Sequence, residues 1–369
     1  MKKILIDLER LRYPNSGIAN VFRNLAKGFQ SLNNNFEINF FGDFSTLDFT
    51  PSHKICWKKW HKFFDNFSSK FDIIHVSHQL SSYFHKNYKS TVKIVTLHDL
   101  NFLHEGLSDY KKKKMLHKVR NNLKYADYIV CISEYARQDF LRNKDLFACR
   151  KLKDIFVIHN GIQLPEDREY FLGKYTFLSK KRYILNIGVL FNKKNQLSII
   201  EMLPFIDEDL VFIASDEKQP YAEQVRTRIK ELNLDNRVHI LKNLSEEEKY
   251  AVIQNSEALC HPSIAEGFGI PPIEAMAFGK PVFLSKYTSL PEIGGELAFY
   301  FENFDPKTMA DYYIDKMILY KNNQQEMSLE IKNWTKQYDY TVMSNNYLDL
   351  YKKILLEDIS TGIPKPFSQ

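Results

Sequence analysis

The sequence predicts an α/β protein built of two doubly wound parallel-sheet domains in series. Three observations carry that expectation. Short, near-continuous apolar runs alternate with stretches of helical periodicity, as parallel strands do when helices cover both faces of their sheet. The alternation stops over residues 159–181 (HNGIQLPEDREYFLGKYTFLSKK), where Asn160-Gly161, Pro165 and a run of charge interrupt it. It then restarts at Tyr183 with a second set of strands. The 369 residues, 44% hydrophobic and 14% aromatic, suffice to fill two cores of ordinary size. The expected domains are 1–165 and 166–338, with 339–369 as a closing helical segment.

In the first domain, residues 3–7 read as the opening strand, and residues 9–17 (ERLRYPNSG) as the loop that follows. An amphipathic helix is expected over 18–32, with Val21, Leu25 and Phe29 at helical spacing. Gly17, at this strand-to-helix turn, either lets a backbone approach a ligand closely or simply makes the turn. Further strands are expected at 37–41, 71–76, 92–97, 128–132 and 155–158, and helices at 107–125 and 134–143. Ligands of such sheets sit beyond the carboxyl ends of the strands. Three of those ends carry polar groups: His75 with His78, His98-Asp99, and Ser133. No third metal ligand accompanies His75 and His78, so a structural role fits them better. His98, directly after the apolar run KIVTL, is better placed for chemistry, because an uncharged imidazole hydrogen-bonds hydroxyl groups.

The second domain is expected to run as strand 183–187, helix 195–202, strand 210–214, helix 219–232 and strand 238–241. Ser245 and Glu248 then form a capping box that opens a helix to about residue 254. Strand 257–261 leads to a turn and a helix over 271–278, and strand 281–284 leaves it. Residues 339–356 read as one long amphipathic helix, and 361–369 as a proline-containing frayed end. No internal repeat of 20–50 residues is present.

The densest chemistry lies in residues 261–282 (HPSIAEGFGIPPIEAMAFGKPV). Glu266 and Glu274 bracket a turn with Gly267 and Gly269, followed by Pro271-Pro272. Proline suits the first helical positions, and Gly279 stands where the helix would stop. The first helical turn is then an anion site, with free amides and the positive end of a dipole, and a carboxylate stands on each side. The competing reading is an ordinary strand–turn–helix with solvated glutamates. Between the second domain's first strand and helix, Lys193 and Lys194 either neutralise a diphosphate or are simply exposed loop lysines.

Composition removes several classes. No apolar run approaches the roughly 20 residues that span a bilayer. The opening apolar segment ends at Asp7, too soon for a signal peptide. The four cysteines show no CxxC spacing, which favours a reduced, cytoplasmic protein. The net charge of +6 is uneven, with 28 Lys and Arg against 18 Asp and Glu over residues 1–173. Residues 54–62 (KICWKKWHK) and Lys111–Lys114 dominate that excess. Trp57, Trp60, Phe63 and Phe64 make the first cluster look suited to an anionic membrane surface, or else it is a solvated face with some core aromatics. No nucleic-acid-binding motif accompanies these charges.

Taken together, these residues resemble the family 4 glycosyltransferases, which retain anomeric configuration and carry a Glu–seven residues–Glu motif. Glu266 and Glu274 have that spacing within EGFGIPPIEAMAFGKPV. Supporting matches follow in order: Ser16-Gly17, TLHDL at 96–100, CISEYAR at 131–137, HNGI at 159–162, NIGVLFNKKN at 186–195, LSEEEKYAVI at 244–253 and LPEIGG at 290–295. The resemblance covers essentially the whole chain. It implies the GT-B architecture, two Rossmann-like domains facing across a cleft, with the C-terminal helix crossing back to the first.

Carried over residue by residue, the resemblance implies that Glu274 binds the donor's ribose. Glu266 and the amides near Gly267, Phe268, Gly269 and Ile270 would hold the transferred sugar. Lys194, and Gly17 through its backbone, would meet the diphosphate, and His98 the reacting region. Leu241 and Asn243 would lie by the base, and Leu290 and Glu292 near the phosphates. The implied catalytic residues are Glu266, His98 and Lys194. Many family members have Gly-Arg-Leu where this chain has Gly188-Val189-Leu190, so an arginine is missing and Lys193 stands as its replacement. The implied activity is transfer of a hexose-type sugar from a nucleoside-diphosphate sugar to a saccharide or lipid-linked acceptor, in cell-surface polysaccharide synthesis. No cofactor or metal is expected. A non-catalytic nucleotide-sugar- or carbohydrate-binding protein on the same fold is the alternative.

Overall fold

The computed structural model describes residues 1–13, 17–32, 35–45, 47, 49–64 and 66–360. Ser16 and the expected frayed end at 361–369 lie outside the described residues. The chain divides into two units: Met1–Gln163 with Tyr338–Gln369, and Leu164–Gln337.

The first unit holds a seven-stranded sheet in which every pairing is parallel. Its elements are β1 (Lys2–Leu8), α1 (Gly17–Ser31), β2 (Phe36–Gly42), β3 (Lys54–Cys56), β4 (Ile73–Val76), β5 (Val92–Leu97), α2 (Asp109–Leu123), β6 (Tyr128–Cys131), α3 (Glu134–Arg142) and β7 (Asp154–Val157). All residues of β4, β5 and β6 are buried, as near-continuous apolar runs require when both faces are covered, and the buried set includes the polar His75, Lys93 and Thr96. Strand order is β3-β2-β1-β4-β5-β6-β7. The order reverses between β1 and β4, so the carboxyl ends of those two strands mark the ligand-binding edge of this unit.

Edge strand β3 corrects the sequence reading. Lys54-Ile55-Cys56 pairs with Phe40-Phe41-Gly42 instead of belonging wholly to a surface cluster. Three residues are too few to show a period of two. The rest of the basic–aromatic stretch divides. Trp57 packs partly buried against the core and donates its indole N–H to the Tyr83 hydroxyl. Trp60, Phe63 and Phe64 are 52%, 74% and 62% exposed, so only these three keep the interfacial character expected of the stretch.

The second unit contains β8 (Tyr183–Ile187), α4 (Gln196–Met202), β9 (Asp209–Ile213), α5 (Tyr221–Glu231), β10 (Val238–Leu241), α6 (Glu246–Gln254), β11 (Ala258–His261), α7 (Ile270–Ala277), β12 (Val282–Ser285), α8 (Leu290–Gly294), β13 (Phe299–Phe301), α9 (Pro306–Asn322) and α10 (Gln324–Thr335). Its sheet is also wholly parallel, in the order β10-β9-β8-β11-β12-β13. The reversal here lies between β8 and β11. The capping box of α6 forms as expected, with Ser245 Oγ accepting from the Glu248 amide at 3.2 Å and Glu248 Oε2 from the Ser245 amide at 2.9 Å. Strand β13 and helices α8, α9 and α10 carried no expectation. The segment 159–181 is less of a linker than its composition suggests, because Tyr170, Leu172, Tyr175 and Leu178 are buried in this unit's core.

After the second unit the chain returns to the first and forms α11 (Tyr340–Ser360). Its Tyr347, Leu348, Tyr351 and Ile354 are buried, and the Tyr351 hydroxyl bonds His75 Nδ1 at 2.7 Å. The two chain crossings are joined to each other. Ile162 donates to the Tyr338 carbonyl at 2.9 Å, and Tyr340 donates to the Ile162 carbonyl at 2.9 Å.

Candidate active site

In the second unit, polar side chains gather where the strand order reverses. Beyond β8, Gly188 takes φ +150°, a value side-chain-bearing residues rarely adopt, and an added Cβ would lie 3.7 Å from Lys194 Cε. The Lys194 side chain thus lies back over the strand end. The carbonyl of Lys193 accepts from the Ile264 amide at 2.8 Å and the Ser263 hydroxyl at 3.0 Å. These bonds tie the β8 loop to the loop beyond β11.

Glu266, in that second loop, is 9% exposed. Its Oε1 accepts from Lys194 Nζ and lies 2.6 Å from His261 Nε2, while its amide donates to Thr288 Oγ1 at 3.0 Å. Burial alone would raise the carboxyl pKa. The Lys194 charge and the His261 bond outweigh it and hold Glu266 well below the usual carboxylate range. Burial pulls the His261 imidazole below its ordinary value, despite the opposing pull of Glu266. At neutral pH this is therefore a carboxylate receiving an ammonium and a neutral imidazole N–H.

Gly269 precedes α7 at φ +119°, and a Cβ there would come within 3.2 Å of Leu290 Cδ2. Leu290 is fully buried beneath it, so only backbone of that residue is open to a phosphate role. Pro271 and Pro272 occupy the first turn of α7 and bring no N–H. The expected row of helix-terminal amides is accordingly thinned. Glu274, on α7, accepts from Lys249 Nζ of α6 at 2.7 Å. Burial opposes the charge on Lys249, but Glu274 outweighs it and raises the ammonium pKa. Lys193 Nζ stands 5.6 Å from the Phe191 ring centre, and the Val189 carbonyl accepts from Gln196. Leu241 is buried at the end of β10, where its carbonyl receives the Ala214 amide, and exposed Asn243 turns the chain at φ +54°. No hydrogen bond among the described residues joins Leu241 or Asn243 to Glu266.

In the first unit, the β1/β4 edge carries a different cluster. Asp7 and Glu9 are buried, and Ser81 Oγ lies 2.8 Å from Asp7 Oδ2 and 3.0 Å from Glu9 Oε2. Burial and the adjacent Glu9 push the Asp7 carboxyl up to about 7. His78 stacks on His98 with ring centres 4.9 Å apart, and Arg10 reaches His78 Nδ1 at 3.2 Å. His98 Nε2 lies 2.9 Å from the Ser77 carbonyl, and burial pulls its pKa down to about 4. The neutral ring must donate from Nε2, which leaves Nδ1 as its hydroxyl-accepting atom. His75 is committed structurally, with Nδ1 on Tyr351 and Nε2 on Thr96 at 2.7 Å each. Gly17 is exposed at the start of α1. Among the described residues no group of three or more His, Cys, Asp or Glu is arranged to hold a metal ion, and no helix is long and apolar enough to cross a membrane.

Sequence reading singled out Glu266 with Glu274 in one motif and Lys194 in another, but did not foresee the Lys194–Glu266 contact and missed His261, Lys249 and the Asp7–Ser81–Glu9 cluster. His261 sat unremarked as the last residue of an apolar strand. Lys249 lay in a helix whose charges look solvated.

Two family models match consecutive parts of the chain: Glycosyltransferase Family 4 over residues 15–165 and Glycosyl transferases group 1 over residues 167–334. The O-antigen chain mannosyltransferase RfbU of Salmonella typhimurium is 25% identical over 254 residues, covering 68% of this chain and 66% of that protein. An MMP alpha-(1->4)-mannosyltransferase of Mycolicibacterium hassiacum is 43% identical over 67 residues, 18% of this chain and 16% of that protein. The matched parts thus span less than two thirds of these relatives. Among solved structures, HepE of Anabaena in complex with UDP and glucose has a TM-score of 0.72 and 16% identity, covering 96% of this chain and 100% of that one. That likeness is one of fold, and the fold is GT-B.

Proposed function

The chain belongs to the group 1 glycosyltransferases of family 4, and from that premise we propose that it transfers a hexose-type sugar from a nucleoside-diphosphate sugar to a saccharide or lipid-linked saccharide, with retention. The supporting observation is Glu266 set between Lys194 and His261 where the strand order reverses. In the proposed reaction the anomeric carbon–phosphate oxygen bond breaks and a bond from the acceptor oxygen forms on the same face. The acceptor's proton leaves with the diphosphate. Lys194, Lys193 and the amides of the Gly267–Ile270 turn stabilise the charge that develops there, so no metal is assigned. Glu266 holds the transferred sugar through its hydroxyls, and Glu274 the ribose. In the first unit, His98 Nδ1 accepts from a saccharide hydroxyl. The relatives' names favour a mannosyl donor and an acceptor of the O-antigen kind.

A thermal-shift panel of GDP-, UDP-, ADP- and dTDP-sugars, run with and without EDTA, tests the donor side. One nucleotide class is expected to raise the melting temperature, equally in both conditions, because binding stabilises by mass action. Glu274→Ala is expected to shrink that shift by about tenfold in affinity, the loss of one charge-assisted hydrogen bond pair. A panel in which no nucleotide sugar stabilises the protein contradicts the donor assignment.

The exposed Trp60, Phe63 and Phe64, beside Lys58, Lys59 and Lys62, support a further part of the proposal, docking of the first unit on anionic lipid. Sedimentation with phosphatidylglycerol-containing liposomes is expected to pull the protein down at low salt, and equal recovery with neutral liposomes counts against it.

A further inference from the structure

His261 closes β11, a strand whose other residues, Ala258, Leu259 and Cys260, are fully buried and apolar. An aliphatic side chain at this place would bury no polar atom. The imidazole instead sits 1% exposed, and its Nδ1 has no hydrogen-bond partner among the described residues. A buried polar atom left unpaired is unfavourable, so the ring sits there against its own desolvation. Among the described residues its one hydrogen bond is Nε2 to Glu266 Oε1, at 2.6 Å.

Both groups that reach Glu266 use the same oxygen. Lys194 Nζ and His261 Nε2 converge on Oε1, and Oε2 has no partner among the described residues. A carboxylate held by one oxygen from two directions has a fixed plane, and its second oxygen is aimed. The two holders differ. Lys194 is a flexible cation that the proposed diphosphate competes for, whereas His261 is rigid and buried.

We propose that His261 is the positioning residue of Glu266, a neutral Nε2–H donor that keeps Oε1 fixed when Lys194 turns to the diphosphate, so that Oε2 meets the sugar hydroxyl. The proposal rests on the glycosyl-transfer reading of this site. It assigns His261 no contact with substrate and no proton transfer.

The test compares His261→Leu, His261→Gln and Glu266→Ala with the unmodified enzyme, using the donor identified by the panel. Leucine keeps the volume but removes the donor. It is expected to lower kcat about 10- to 100-fold, the value of a hydrogen bond to a charged group, with a much smaller change in the donor KM. The acid limb of its kcat–pH profile is expected to move up, because Glu266 loses a partner that keeps it ionised. Glutamine places an amide N–H near the Nε2 position and is expected to recover most of kcat. Unchanged kcat and pH profile in His261→Leu, with Glu266→Ala inactive, overturns this proposal and leaves the function intact. Full activity in Glu266→Ala overturns the functional reading itself. If His261→Leu fails to fold, nitrogen-15 NMR of the unmodified protein decides. A neutral ring protonated at Nε2, with a hydrogen-bonded proton that Glu266→Gln shifts, supports the proposal, and protonation at Nδ1 refutes it.

Discussion

Replacing Glu266 by alanine is expected to lower kcat about a thousandfold, some 4 kcal/mol of transition-state stabilisation. Lys194 and His261 converge on this carboxylate, so its removal leaves both without their shared partner. The surrounding loop keeps its own anchors. Ser263 and Ile264 remain tied to the Lys193 carbonyl, and Ser289 to the Phe268 carbonyl. The loss should therefore appear in turnover rather than in folding. Glu266→Gln sharpens the measurement, because it keeps the shape and removes the charge. Single-turnover transfer, read beside the melting temperature, separates the two effects. Transfer at the unmodified rate by Glu266→Ala with intact folding would sink the assignment.

The second large effect concerns stability. Gly161→Ala is expected to destabilise the first unit by about 3 kcal/mol, the upper range for an overpacked site, lowering its melting temperature by about 6–12 °C. A Cβ at this position would lie 2.6 Å from Tyr340 Cα, 2.9 Å from Met343 Cβ and 3.1 Å from the Asp339 carbonyl. Two of those atoms are backbone and cannot rotate aside, so α11 must move. Gly161 also donates its amide to Met343 Sδ at 3.0 Å, a contact the same movement breaks. Scanning calorimetry should show a lowered transition, and an unchanged one would mean that α11 shifts freely.

Much of the fold was legible because burial on both faces leaves its mark in composition. The runs at β4, β5, β6 and β8 are almost uninterrupted by polar residues, and each was placed within two residues of its observed limits. β3 and β13 were not legible, since three residues at a sheet edge carry neither length nor period. The Pro271-Pro272 pair announced α7 correctly, yet the same prolines remove the amides that the anion-site argument counted on. Glu266 and Glu274 stood out as a spaced pair and Lys194 as a loop cation, but Lys249 and the imidazole of His261 did not. Lys249 reaches Glu274 across 25 residues, and Ser81 reaches Asp7 across 74. Spacing along a chain encodes neighbours on one helix or strand, whereas these contacts are created only when different elements are brought together by the fold.

The return of α11 has a consequence for how the molecule comes into being. The second unit is an insertion, entered after Gln163 and left before Tyr338, and the first unit is split around it. On a ribosome, the sheet of the first unit emerges early but lacks the helix that covers His75 and fills the space beside Gly28 and Gly161. That helix arrives only after all 174 residues of the insertion have been made. The usual order, in which the N-terminal half finishes first, is thus reversed. The second unit can close its core on a contiguous chain, while the first must wait for α11 to be delivered.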